Sequence, residues 1–166
     1  PERCDLHPKR CLIFSPHPDD DIISMGGTLM RLHDQGNDVH VAYQTSGNIA
    51  VTDEFVTRFI DFAVGFEEMF GIDNQMSRRI LEDARKYIEQ KEKDQRDTAE
   101  IRSIKGLIRR CEAKATCRYV GIADANCHFM NLPFYETGTI DKKPMGYTNN
   151  HGVVAQDSTP SGVLCR

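Results

Sequence analysis

An α/β fold built on a mostly parallel, Rossmann-like sheet is predicted by three observations. The apolar run Cys11-Leu12-Ile13-Phe14 stops at a Pro-containing turn, as a buried strand of a parallel sheet does. A helical pattern runs from Asp21 to a stop at Gly36, and the alternating Asp38-Val39-His40-Val41-Ala42-Tyr43 gives a second strand. Strand, helix and strand within about 35 residues make a βαβ unit, whose right-handed crossover puts both strand ends on one edge. Ligands bind at that carboxyl edge, where His17 and Thr45-Ser46-Gly47-Asn48 both fall.

In the first helix Ile22, Ile23, Met25, Leu29, Met30 and Leu32 are read as largely one apolar face. Gly26-Gly27 costs about 1 kcal/mol per glycine inside a helix, and close packing of helix on strand is the expected reason. No G-x-G-x-x-G occurs, so a dinucleotide site is disfavoured. Phe55, Val56, Phe59, Ile60, Phe62, Ala63, Phe66 and Phe70 recur at helical spacing and read as a core or partner-facing stripe, ended by Gly71. Two further helices follow, one carrying Ile80, Leu81, Ala84, Tyr87 and Ile88, the other Ile101, Ile104, Leu107 and Ile108. The polar break Lys91-Glu92-Lys93-Asp94-Gln95 separates them, and the charge is read as a solvated face. Such helices cover the sheet or project as an antiparallel pair. Cys127 to Leu132 reads as a third strand closed by Pro133, and from Lys142 the chain is turn-rich. The organisation expected is one α/β domain over 1–141, with a helical insertion at about 52–118, and a loop-rich tail over 142–166.

A length of 166 residues supports one domain with a real core. The 21 Lys+Arg against 25 Asp+Glu leave a net charge of -4 with no dense basic stretch, which argues against a nucleic-acid partner. No apolar run is long enough to span a membrane and no signal-peptide core is present, so a cytoplasmic protein without a membrane partner is expected. The six cysteines include no C-x-x-C pair, and reduced thiols are expected rather than a zinc ribbon or a disulfide scaffold. The missing initiator Met suggests a piece of something longer, with a sheet incomplete at its C-terminal side and an exposed strand edge.

The chemistry concentrates in Ser15-Pro16-His17-Pro18-Asp19-Asp20-Asp21, between the first strand and the first helix. A catalytic zinc takes His nitrogen and carboxylate oxygen and leaves room for water. His17 and Asp20 stand three apart across a turn, close enough to share one ion, and Asp19 then points elsewhere and can act as base. This supports metal-assisted hydrolysis of an amide or ester. The competing structural reading is that the aspartates cap a helix and His17 bonds a backbone carbonyl; the residues alone leave both open.

Pro16-His17-Pro18-Asp19-Asp20, followed by Gly26-Gly27-Thr28-Leu29, resembles the signature of the PIG-L or LmbE-like family of zinc-dependent N-acetylglucosaminyl deacetylases. Thr45-Ser46-Gly47-Asn48 resembles the family's Thr-x-Gly turn, Arg109-Arg110-Cys111-Glu112 its Arg-x-x-Glu helix, and Leu132-Pro133-Phe134-Tyr135 the strand end that follows. The likeness runs from about residue 9 to 140 and is nearest to the deacetylase-like domain fused to a glucosamine-6-phosphate deaminase domain in some bacteria. The resemblance implies a three-layer Rossmann-like sandwich, Zn2+ or another divalent metal held by His17 and Asp20, Asp19 as general base, and Arg109 at the substrate. Asp21 stands where the family often has Glu. The His-rich motif that supplies the family's third ligand is not found: His151 in Asn149-Asn150-His151-Gly152 lacks its companions, His128 reads as a core or edge residue, His33 and His40 as surface residues, and His7 as a tail residue.

Two functions are expected. The first is removal of an acyl group, acetyl above all, from an N-acylated amino sugar by metal-activated water with Asp19 as base. The alternative is a non-catalytic, truncated deacetylase-like module that binds a sugar phosphate or a partner domain, a fused deaminase domain or a second copy of the chain being the partners to consider.

Overall fold

The structure is a computed structural model, and it describes residues 8–133. In chain order it contains β1 (Arg10–Ser15), α1 (Asp20–Asp34), β2 (Asp38–Tyr43), a short 3-10 turn at Asn48–Ala50, α2 (Asp53–Phe70), α3 (Gln75–Gln90), α4 (Ala99–Tyr119), a second 3-10 turn at Asp124–Asn126 and β3 (Cys127–Phe129). The strands form one parallel sheet in the order β1-β2-β3. Arg10 lies opposite Asp38 and Ser15 opposite Tyr43, so β1 and β2 end together and deliver their following turns to one edge. The third strand is shorter than its sequence suggests. Met130 and Leu132 still donate N–H bonds to the carbonyls of Tyr43 and Gln44, but Asn131 between them takes φ 48°, which breaks the extended run.

One face of the sheet carries the main core. Val39, Val41 and Tyr43 of β2 pack with Leu29 of α1, with Ala113 and Cys117 of α4 and with Val120 just past its end, flanked by Cys11, Ile13, Cys127 and Phe129. The period of two along the strands places all of these on the same side. Helices α1 and α4 therefore share a face. On the opposite face the rings of His40 and His128 stack, with His40 Nδ1 3.0 Å from His128 Nε2. Burial first, and the neighbouring His40 second, lower the pKa of His128. The surface position expected for His40 is replaced by this cross-strand pair.

Helix α1 buries a narrower stripe than expected. Ile22, Leu29 and Leu32 meet the sheet core, whereas Ile23, Met25 and Met30 are exposed. Gly26 and Gly27 do not let the helix approach a strand: a Cβ on Gly27 would have nothing within 4 Å, and one on Gly26 would meet only Ile22 of its own helix.

A second core joins α2, α3 and the first half of α4 through Val56, Ile60, Ala84, Ile101 and Ile108. Helix α4 thus serves two clusters, its N-terminal half in the helical group and its C-terminal half on the sheet. Thr52, Asn74 and Thr98 cap the three helices through side-chain oxygens that accept backbone N–H bonds. Gly71, at φ 63°, ends α2 in the left-handed conformation that glycine adopts without steric cost. The aromatic stripe of α2 is mostly outside this core. Phe59, Phe62, Phe66 and Phe70 are exposed, Phe62 to 70%, and Phe66 packs chiefly on its helical neighbours Phe62 and Phe70.

The charged stretch is not simply a solvated face either. Lys91 and Lys105 each reach both Asp53 and Asp97, at 2.6 to 2.8 Å, and the Lys105 side chain is only 5% exposed. Cys11, Cys111, Cys117 and Cys127 are free thiols, while Cys4 and Cys165 lie outside the described residues. Among the described residues no helix is long and apolar enough to cross a membrane.

Candidate active site

The turn after β1 is built by Ser15, whose hydroxyl donates to the His17 carbonyl at 2.5 Å and accepts from the Asp21 N–H at 3.1 Å. These bonds fold Pro16 to Asp20 back over the strand end. Thr45, at the end of β2, donates to the Pro16 carbonyl at 2.8 Å and locks the two strand ends together.

The three aspartates then separate into three environments. Asp21 points inward and is buried, accepting from Tyr43 Oη at 3.0 Å, with its other oxygen 3.2 Å from Ser15 Oγ. Burial first, then the Cys117 thiol and Asp21, push the Tyr43 phenol well above its ordinary pKa, so it stays a neutral donor. Asp20 turns back on His17, with one oxygen 2.9 Å from His17 Nδ1 and 3.0 Å from the His17 N–H that it accepts. Asp19 occupies the N-cap position of α1, yet its side chain makes no cap bond. Its carboxylate is 2.7 Å from the Arg109 guanidinium instead. The helix-cap reading thus fails for Asp19, the residue best placed to perform it.

Arg109 comes from the middle of α4 and is 14% exposed. Besides Asp19 it holds Glu112, one turn on, at 2.7 Å, and donates to the Pro18 carbonyl at 3.1 Å. Its Nε is buried without a partner among the described residues. Gly47 makes this arrangement possible. At φ 65° it takes the left-handed conformation, and a Cβ there would sit 2.6 Å from Pro18 Cδ and 3.3 Å from Arg109 Nε.

His17, Asp19, Thr45, Gly47 and Arg109 line one cavity of about 460 Å³ at the carboxyl edge. The residues singled out from sequence, His17, Asp19, Asp20 and Arg109, are therefore brought together, with Asp20 behind His17. His151 lies outside the described residues. His128 and His40 belong to the far face of the sheet and His33 sits against Gly121, so none of them joins the site. Sequence reasoning missed the supporting Ser15–Asp21–Tyr43 cluster; it named Glu112 within the Arg-x-x-Glu motif without giving it a role, and the i,i+3 spacing from Arg109 was the signal for the ion pair.

The donor set suits part of a divalent-metal site. His17 Nδ1 and Asp20 Oδ2 converge to 2.9 Å on an exposed surface, close to the edge of a metal's coordination shell. Among the described residues no third His, Cys, Asp or Glu groups with them.

A pattern match to the family described as GlcNAc-PI de-N-acetylase, PIG-L, covers residues 12–157. A glucosamine-6-phosphate deaminase-like protein of Bacteroides thetaiotaomicron is 52% identical over 147 residues, which is 87% of this chain and 22% of that protein. Diacetylchitobiose deacetylase of Thermococcus kodakarensis is 44% identical over 45 residues, 27% of this chain and 17% of the relative. The chain therefore spans about a fifth of the length of these relatives. No solved structure matches it. With the match running over most of its length, the chain belongs to the PIG-L family.

Proposed function

We propose that this chain carries the deacetylase site of an enzyme that removes an acetyl group from an N-acetylated amino sugar. The observation that carries this reading is Asp19: a carboxylate at a helix N-cap that declines to cap, faces a cavity beside His17 and is held there by Arg109. Family membership supports a deacetylase-like activity, and the names of both relatives point to amino sugars.

His17 and Asp20 would hold a divalent cation, Zn2+ by the chemistry of the donors. When bound, that ion supplies Lewis-acid polarisation of the amide carbonyl. Asp19 takes the proton of the attacking water as its oxygen adds to the acyl carbon. The same proton passes to the departing nitrogen as the C–N bond breaks, leaving a free amine and acetic acid, which ionises to acetate as its proton goes to solvent or to the amine. Arg109 positions Asp19 by holding one carboxylate oxygen at 2.7 Å, which leaves the other to accept the proton. Glu112 in turn fixes Arg109.

The test is zinc binding by equilibrium dialysis together with acetate release from N-acetylglucosamine and its derivatives. Bound zinc that falls at least about tenfold in affinity in His17→Ala, with acetate release in the parent, supports the reading. Zinc affinity equal in parent and His17→Ala, with no acetate released by either, overturns it.

A further inference from the structure

We propose that a second cavity, beside the active-site cavity, is a subsite for a phosphate monoester carried by the amino sugar; this deepens the deacetylase reading and rests on it. The cavity measures about 460 Å³ and lies between α4 and the turn after β2, with Asn48 lining both it and the active-site cavity. A substrate held at His17 and Asp19 can thus extend past Asn48 into the second space.

The described residues of the lining include Arg102 and Arg110 and no acidic side chain, in a chain of net charge -4. The contrast with Arg109 is direct. Arg109 is neutralised by Asp19 and Glu112, whereas Arg102 and Arg110 have no carboxylate at ion-pair distance among the described residues. Glu100 on the same helix feels the charge of Arg102 but does not line the cavity.

Both guanidiniums are held in place without using up their donors. Arg102 donates to the Asp97 carbonyl at 2.8 Å, and Arg110 lies 4.8 Å over the Phe129 ring. Each arginine carries five N–H donors, so most remain for an anion, and their planar fork matches phosphate oxygens. Asn131, in its left-handed conformation after β3, adds an amide to the same wall. Gly106 and Ser46 line the same wall, where a Cβ on Gly106 would stand 3.4 Å from Ser46 Cβ, in ordinary contact.

The experiment is calorimetric titration of the zinc-free chain with N-acetylglucosamine 6-phosphate and with N-acetylglucosamine. The phosphate ester is expected to bind about tenfold or more tighter at low salt, with the gap closing in high KCl. In Arg102→Gln/Arg110→Gln the gap disappears while the neutral sugar binds as before, and circular dichroism reports the unchanged fold. Equal affinity for the two sugars, no binding of either, or a gap that persists in the double variant overturns the proposal. Because no turnover is read, phosphate preference without acetate release would leave this subsite standing and sink the deacetylase reading, and acetate release without preference would do the reverse.

Discussion

Asp19 and Arg109 meet at 2.7 Å across 90 residues of chain, and this ion pair joins the turn after β1 to the helix that covers both cores. It pins the candidate base to a helix that contributes to both cores. Arg109→Gln frees Asp19 and leaves Glu112 without its partner. Activity is expected to fall about 10- to 100-fold in kcat, through misplacement rather than lost binding. Steady-state kinetics check it, and a change confined to KM would point instead to a substrate contact.

Gly47 and Gly27 should respond oppositely to alanine. Gly47→Ala forces a side chain into the left-handed region and against Pro18, so a loss of about 1–3 kcal/mol is expected together with displaced Arg109. Gly27→Ala adds a methyl where nothing lies within 4 Å, in the middle of a helix, and should stabilise by up to about 1 kcal/mol. Urea unfolding of the two variants separates a glycine required by geometry from one that is not.

The lysine–aspartate lattice under α2 and α4 gives a third expectation. Lys105→Met removes one of the two lysines that hold Asp53 and Asp97 while Lys91 still reaches both, and should cost about 1–3 kcal/mol by thermal or urea unfolding.

The same lattice fixes a pH dependence. Burial raises the Asp53 pKa, but the hydrogen bonds from Lys105 and Lys91 outweigh it and the net shift is downward. A depressed carboxylate pKa contributes stability that is fully present above the unfolded value near 3.9 and is lost as pH falls through the folded value. For Lys91 burial lowers the pKa and the bonds to Asp53 and Asp97 raise it further than that, so its contribution persists until pH rises through a value above the ordinary lysine range. Asp53→Asn should therefore flatten the acid limb of the stability profile below about pH 4 and leave the neutral region shifted by a constant amount.

Tyr43→Phe removes the donor that satisfies one oxygen of buried Asp21. A loss of about 1–3 kcal/mol is expected. Zinc affinity should change little, because Asp21 faces the core and not the cavity.

The βαβ unit was readable because its strands are short apolar or alternating runs bounded by turns, and β2 begins and ends at the residues its pattern marks. The site turn was readable from the crowding of His17 and three aspartates, and family likeness added Arg109. The division of labour among the aspartates was not, since Asp21 and Asp19 are fixed by Tyr43 and Arg109, 22 and 90 residues away, while the local partners Ser15 and His17 could equally have served any of the three. Lys105 did leave a trace: it falls within the apolar stripe of Ile101, Ile104 and Ile108, where a charge needs buried partners. The α2 phenylalanines were ambiguous for a physical reason. Helical spacing shows that residues share a face but not what the face meets, and here Val56 and Ile60 take the core while Phe62, Phe66 and Phe70 stay exposed.

Acetate release by the zinc-loaded parent and its Asp19→Asn variant tests the central claim most directly. The account predicts a rate at least about 100-fold lower in the variant, with sugar affinity and fold retained, because only the proton acceptor has been removed. Equal rates in the two proteins would contradict it and return Asp19 to a structural role.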